Sequence, residues 1–350
     1  MVGKVAEVID TQPYVEHDPL IGHRYAPNTR LTLPRPGGGD YELIINAAGI
    51  RSTREYEKRK PQGVCRILVF GDSFAAGQFV SNDQRFSELL ERRVSGLEVI
   101  NFGLESTGTD QQLLLYENVG REFEHDVVML LPFLQNIRRN LVEARIAIDP
   151  KSLQEVLRPK PRFELVNGGL VLRNVPVSKS APVANSRNVI DKTDANQGRV
   201  HQFKAIVSRS PAGVVLKKIL FQIKPWEPFP EYRNAASPQW QLMAAILRRF
   251  KEAAGARPLV IVPVFYDSYV LFHMARNYWE RFRSLEGPGT YVIDLLPHFQ
   301  QLASEAVRCF QGPDDCHFST YGHLVVADAL QEELDRRGLL PSVAAGDLAR

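Results

Sequence analysis

The chain has 350 residues, of which 44% are hydrophobic and 24% are charged, with 24 glycines and 23 prolines. This is the composition of an ordinary globular protein, and it excludes the disordered, collagen-like and coiled-coil classes. The formal charge of +3, from 43 basic and 40 acidic residues, gives no electrostatic basis for binding nucleic acid.

We recognise no segment in the sequence that would place the chain in a membrane or in an oxidising compartment. No window of roughly 18 apolar residues is free of charge, so we expect no membrane span. Residues 1–10 contain no apolar signal-peptide core. Cys65, Cys309 and Cys316 have no CxxC spacing and are too few for a disulfide scaffold. A Cys309–Cys316 bridge is sterically possible, but we expect reduced thiols in a cytoplasmic protein.

The N-terminal part, residues 1–60, lacks helical periodicity. Two β-like runs, 30–33 and 41–45, flank Pro34 and the glycines at 37–39. This pattern predicts a hairpin whose loop is longer than a tight two-residue turn. We therefore expect a β-rich N-terminal appendage.

From Cys65 onward, short apolar runs typical of fully buried strands alternate with helical stretches. Strands are predicted at 66–70, 97–101, 126–131, 259–265 and 291–294. Helices are predicted from an apolar stripe over 86–94, from the capping pair Ser237-Pro238, and over 321–334. The alternation predicts an α/β domain over 61–340, with a parallel sheet covered on both faces and a flexible tail at 341–350.

A segment at about 141–235 interrupts this alternation. Residues 163–177 contain Asn167-Gly168-Gly169, a turn between apolar runs that predicts a hairpin. Residues 178–198 are rich in Ser, Asn, Asp and Lys, which favours an exposed loop. We interpret the whole segment as an insertion in the α/β domain.

The first chemical motif is Gly71-Asp72-Ser73-Phe74, directly after the first buried strand. Ligands of parallel α/β sheets gather at the carboxyl ends of the strands. A serine on the turn into a helix there exposes its Oγ, and the backbone N–H groups that follow face any oxyanion that forms. The alternative is that Asp72 or Ser73 only caps a helix.

The second motif is Asp314-Asp315-Cys316-His317-Phe318, before the last helix. A serine nucleophile needs a base, and the base needs a carboxylate to orient it. Asp314 and His317 lie three residues apart and would supply both groups from one loop. The alternative is a solvated acidic loop with an incidental histidine.

With these two motifs the sequence resembles the GDSL/SGNH hydrolase family over 65–334, apart from the insertion. The resemblance implies a three-layer α/β/α sandwich with a five-stranded parallel sheet of the flavodoxin-like kind. It also implies that Ser73 is the nucleophile, His317 the general base and Asp314 the orienting carboxylate.

The resemblance further implies oxyanion donors in two blocks where this chain departs from the family pattern. In the second block, Ser106 stands where a glycine is expected, although its main-chain N–H still serves. In the third block, Leu134-Gln135-Asn136 replaces the usual Gly-Asn-Asp. The side-chain donor is then Asn136 or Gln135; the shorter amide favours Asn136 narrowly, whereas Gln135 keeps the direct alignment.

Other residues are weaker candidates for substrate binding. Asp72 adjoins the serine, Arg138 follows the third strand and would clamp an anion, and Tyr266 ends the fourth strand. A solvated helix start is the alternative for Arg138. No second ligand cluster supports a metal at 314–317, and neither G-x-G-x-x-G nor Walker A is present, so we expect no cofactor.

The sequence therefore predicts a serine esterase or acyl hydrolase acting on a small-molecule ester or an acylated carbohydrate or natural product. One alternative is an O-acyltransferase that uses the same serine on a sugar or natural-product hydroxyl. The other is a non-catalytic binding module, because the loss of one oxyanion donor costs about 3–4 kcal/mol of transition-state stabilisation. The oligomeric state is left open.

Overall fold

The computed structural model describes residues 6–9, 12–149, 152, 154–182, 226–272, 274–312 and 315–341. Its strands are β1 (Ala6–Ile9), β2 (Val15–Asp18), β3 (Gly22–Tyr25), β4 (Thr29–Pro34), β5 (Asp40–Ile45), β6 (Cys65–Gly71), β7 (Leu97–Asn101), β8 (Val127–Leu131), β9 (Ala144–Ile148), β10 (Glu155–Pro159), β11 (Arg162–Val166), β12 (Gly169–Arg173), β13 (Ala181–Pro182), β14 (Leu259–Ile261), β15 (Thr290–Val292), β16 (Phe310–Gly312) and β17 (Asp315–Phe318). Its α-helices are α1 (Ser73–Ala76), α2 (Phe86–Arg93), α3 (Thr109–Asn118), α4 (Asn136–Arg139), α5 (Pro238–Ala254), α6 (Asp267–Leu271), α7 (Asn277–Arg283), α8 (Leu296–Gln300) and α9 (Thr320–Arg336).

The centre of the molecule is a five-stranded sheet in the order β7-β6-β8-β14-β15. All four neighbouring pairs are parallel. In chain order this is 2-1-3-4-5, the flavodoxin-like arrangement, in which ligands bind where the strand order reverses, between the first and third strands. The predicted α/β fold with a five-stranded parallel sheet is confirmed. The reversal lies between β6 and β8, so those two strands end at the expected place for a site.

Helices cover the sheet, with α2 packed on α9 and α3 packed on α5. The predicted start of α5 is confirmed, since the Ser237 side chain accepts a hydrogen bond from the Trp240 N–H and Pro238 takes the first helical position. The strand predicted over 259–265 ends earlier, at Ile261. Pro263 has no N–H to continue the ladder of backbone hydrogen bonds. In the rest of the predicted strand, Val264 forms a single isolated bridge, to Phe133.

Both predicted hairpins are present. Strands β4 and β5 pair in antiparallel fashion, and so do β11 and β12. The second hairpin turns at Asn167 and Gly168, whose φ angles of 51° and 79° are those of a type I′ turn. Most of the loop predicted over 178–198 lies outside the described residues.

The N-terminal segment and the insertion meet in a way that the sequence did not predict. Strand β1 pairs in parallel with β9, which pairs in antiparallel fashion with β10, and β13 completes a four-stranded sheet. The N-terminal segment and the insertion, which the first part of the α/β domain separates in the chain, thus share one sheet. The domain boundaries proposed from the sequence stay a prediction.

Candidate active site

The Ser73 turn forms because β6 ends on a glycine that packs tightly. A Cβ on Gly71 would lie 2.5 Å from the Ala75 Cβ and 3.0 Å from the Leu131 carbonyl oxygen, so a larger residue would push α1 away from β8. Asp72 caps α1 by accepting a hydrogen bond from the Phe74 N–H at 3.2 Å. Ser73 is the first residue of α1 and lines a cavity at the carboxyl end of the sheet.

His317 reaches the serine from the β16–β17 hairpin. Its Nε2 lies 2.7 Å from the Ser73 Oγ, and its Nδ1 lies 2.6 Å from the Asp315 Oδ1. Phe74 and Phe79 pack against the imidazole, with ring centroids at 4.8 and 5.5 Å. The structure thus brings together the serine and the histidine that the sequence singled out.

The carboxylate beside His317 is Asp315. Residues two apart in a strand point to the same face, so β17 aligns Asp315 with His317. Its Oδ1 also accepts the His317 backbone N–H at 2.8 Å. Burial by itself raises the pKa of Asp315, but the hydrogen bonds and charge of His317 outweigh it and hold the pKa below the ordinary 3.8. Asp314, expected in this position, lies outside the described residues.

Ser106 lines the cavity with its backbone in the left-handed region, at φ 65°. This region favours glycine, which accounts for the glycine that the family pattern places here. The Ser106 carbonyl accepts a hydrogen bond from the Arg145 Nη1 at 2.5 Å, and its Oγ accepts one from the Gln12 Nε2 at 3.4 Å. Among the described residues, no acceptor is bonded to the Ser106 main-chain N–H.

Of the two amides after β8, Gln135 lines the cavity and Asn136 does not. Asn136 begins α4 and is fully buried, with its Nδ2 3.4 Å from the Thr109 Oγ1. The narrow preference for Asn136 does not fit this placement, because the helix start turns that side chain into the core. Gln135 is half-buried, and its Oε1 accepts a hydrogen bond from the Tyr266 hydroxyl at 2.5 Å.

Two of the weaker substrate-binding candidates require correction. Asp72 is fully buried, where it caps α1 and pairs with the Arg139 Nη1 at 2.8 Å. Arg138 faces outward and binds Glu231, with its Nε 2.6 Å from the carboxylate. The next residue of α4, Arg139, lines the cavity instead. Tyr266, the third candidate, does line the cavity.

The cavity has a volume of about 650 Å³, and several of its walls come from distant parts of the chain. Gln12, Tyr14 and Tyr41 come from the N-terminal part, and Arg145 comes from β9. No pattern in the sequence indicated these four residues, because they come to the site from segments far from Ser73 and His317 in the chain. Asp315 had a usable signal, namely strand alternation with His317.

Within the described residues, no group of His, Cys, Asp or Glu side chains is arranged to hold a metal ion. Cys65, Cys309 and Cys316 are free. None of the helices that the structure describes has the length and apolar character needed to cross a membrane.

No protein-family model matches the chain, and no curated protein matches it either. Solved structures do. They include a lipolytic protein of the G-D-S-L family from Veillonella parvula, at 11% identity and a TM-score of 0.39, covering 78% of this chain and 100% of that one. A lipase/acylhydrolase from Enterococcus faecalis has 14% identity and a TM-score of 0.40, with 80% and 100% covered.

A salicylyl-acyltransferase from a tetracycline biosynthetic pathway has 12% identity and a TM-score of 0.38, with 81% of this chain and 58% of that one covered. Likeness at this level carries no information on activity. The similarity is one of fold, to G-D-S-L lipolytic proteins and their like, and the fold assignment itself rests on the order and direction of the five parallel strands.

Proposed function

We propose that the protein is a serine hydrolase that cleaves an ester through a covalent acyl-enzyme. The observation that carries the proposal is the chain of contacts from Ser73 Oγ to His317 Nε2 at 2.7 Å and from His317 Nδ1 to Asp315 Oδ1 at 2.6 Å. These three side chains line a cavity at the carboxyl end of the sheet, where ligands of this fold bind.

The same contacts support one direction of proton transfer. An ionised Asp315 only accepts, so His317 Nδ1 carries the hydrogen and Nε2 is left to accept the Ser73 proton. Ser73 Oγ then attacks the ester carbonyl, and the oxyanion is stabilised by the main-chain N–H groups of Ser73 and Ser106 and by the Gln135 amide. His317 returns the proton to the leaving alcohol, and water later releases the acyl group by the reverse sequence.

A second candidate is acyl transfer to a hydroxyl other than water. The cavity of about 650 Å³ is within the size range of sites for drug-sized ligands, so it has room for an acceptor beside an acylated serine. Both reactions start from the same acyl-enzyme. Product analysis with candidate sugar and natural-product alcohols, in competition with water, separates them.

The first test is labelling with a fluorophosphonate probe, followed by peptide mapping. We expect stoichiometric labelling at Ser73 and none in Ser73→Ala. A folded protein that is not labelled would contradict the proposal and favour a binding module without catalysis.

A matched pair of variants identifies the carboxylate. Replacing the aspartate of a Ser-His-Asp site lowers kcat by about 10⁴-fold, so we expect a loss of that order in Asp315→Asn and near wild-type turnover in Asp314→Asn. The reverse result would assign the role to Asp314, as the family resemblance implies.

A further inference from the structure

The orientation of the Gln135 side chain is determined by its neighbours. Its Oε1 lies 2.5 Å from the Tyr266 hydroxyl and 3.4 Å from the Arg139 Nη2. A guanidinium has donors and no acceptor, so the amide atom that faces Arg139 must be the oxygen. The Tyr266 hydroxyl, which shares that oxygen, must then donate to it.

With its oxygen committed, Gln135 has only the two Nε2 hydrogens left to offer the cavity. Among the described residues, no acceptor is bonded to Nε2, and the side chain lines the same cavity as Ser73. Hydrogen bonds received at the oxygen polarise an amide and strengthen its N–H donors. Tyr266 and Arg139 therefore favour the state of Gln135 that an oxyanion needs.

Both neighbours are themselves held in place. The Tyr266 ring packs edge-on against Phe133, with centroids 4.8 Å apart, and stacks on Phe229 at 5.8 Å. The Arg139 guanidinium pairs with the buried Asp72 and lies 5.3 Å from the Phe133 ring centroid. A donor that is fixed before the reaction contributes most to transition-state stabilisation.

We propose that Tyr266, together with Arg139, is a positioning residue that makes Gln135 the side-chain donor of the oxyanion hole. This inference rests on the proposed function. A glutamine has one more rotatable bond than an asparagine, so fixing it in one orientation costs more side-chain freedom. The Tyr266 hydroxyl compensates by holding the longer side chain in one orientation.

The test is a double-mutant cycle on ester hydrolysis and on the rate of fluorophosphonate labelling. Tyr266→Phe loses one hydrogen bond, so we expect kcat to fall about tenfold with KM nearly unchanged. In Gln135→Ala, where no amide remains to be oriented, adding Tyr266→Phe should have no further effect. Tyr269→Phe is the matched control, because it removes a tyrosine hydroxyl from α6, the helix that follows Tyr266, and that hydroxyl contacts Glu227 at 3.4 Å instead.

Each outcome decides the inference. An equal loss from Tyr266→Phe with and without Gln135, or a loss confined to KM, would mean that Tyr266 acts on substrate directly and would overturn it. Unchanged turnover in Tyr266→Phe, with labelling at Ser73 intact, would overturn the inference and leave the proposed function standing. A wild-type protein with neither turnover nor labelling would overturn both.

Discussion

The two proposed oxyanion positions, Ser106 and Gln135, both depart from the family pattern, and their neighbours hold the proposed donors in different ways. At Ser106 the donor is a main-chain N–H. Its orientation depends on a left-handed backbone and on a hydrogen bond from Arg145 to the Ser106 carbonyl. At Gln135 the donor is a side chain, and its orientation depends on hydrogen bonds from Tyr266 and Arg139.

This difference explains which substitution is tolerated easily. A main-chain donor survives any side chain that accepts the required φ, so a change from glycine at 106 affects backbone strain and little else. A side-chain donor changes length with the residue, so glutamine at 135 needs partners that match its reach. The residues that orient the two donors also come from different regions, since Arg145 belongs to β9 of the insertion and Tyr266 follows β14 of the central sheet.

Among the variants that test this comparison, Gln135→Ala is expected to have the largest effect. Gln135→Ala removes a donor outright, and we expect kcat to fall by about 10²–10³-fold, the usual loss for one oxyanion-hole donor. Ser106→Ala keeps the main-chain N–H, so kcat should stay within about threefold of wild type on the same grounds. Steady-state kinetics on one ester substrate measures both. Equal losses in the two variants would show that the Ser106 side chain takes part.

The core of the fold was predictable from local pattern, and the surroundings of the site were not. Apolar runs marked the central strands, and the serine motif fell at a strand end where chemistry is expected, whereas the histidine motif fell before the last helix. Arg145 donates to the Ser106 carbonyl from β9, a strand that pairs with β1, although these two strands lie more than a hundred residues apart in the chain. Local periodicity carries no information on such pairing.

Other differences came from the geometry of single elements. Spacing suggested Asp314 as the partner of His317; Asp314 lies outside the described residues, and strand β17 places Asp315 on the histidine face. The start of α4 turns Asn136 inward and leaves Gln135 at the cavity. In both cases one residue of register decides which side chain is available, and the boundaries of short elements are the least certain part of a sequence-based prediction.

A second prediction concerns the buried carboxylate behind Ser106. Glu105 is fully buried. Its Oε2 accepts hydrogen bonds from the Tyr14 hydroxyl at 2.5 Å and from the Gln12 Nε2 at 3.0 Å. Its Oε1 has no hydrogen-bond partner among the described residues. Burial raises the pKa of Glu105 above the ordinary 4.5, against these bonds and the Arg51 charge. The folded state then holds a proton that the unfolded chain has released, so stability falls as the pH rises above about 4.5.

Glu105→Gln should remove this dependence. Relative to wild type, we expect the variant to gain unfolding free energy as the pH rises from 4 to 8. Denaturant unfolding of both proteins across that range measures the gain. The groups around Glu105, including His23, are common to both proteins and cancel in the difference. A difference that does not change with pH, or that favours wild type as the pH rises, would contradict the prediction.

The smallest effect is expected from Ser106→Gly, which restores the glycine of the family pattern. A left-handed φ costs a residue with a Cβ about 1–2 kcal/mol, and glycine relieves this cost. Glycine also gives the unfolded chain more freedom, which offsets about 0.4–1 kcal/mol of the gain. We therefore expect the free energy of unfolding to rise by no more than about 1.6 kcal/mol, with kcat unchanged because the main-chain donor remains. Ser106→Val provides the contrast, since a β-branched residue strains this φ further; equal stability of the glycine and valine variants would show that backbone strain is not what distinguishes this side of the cavity.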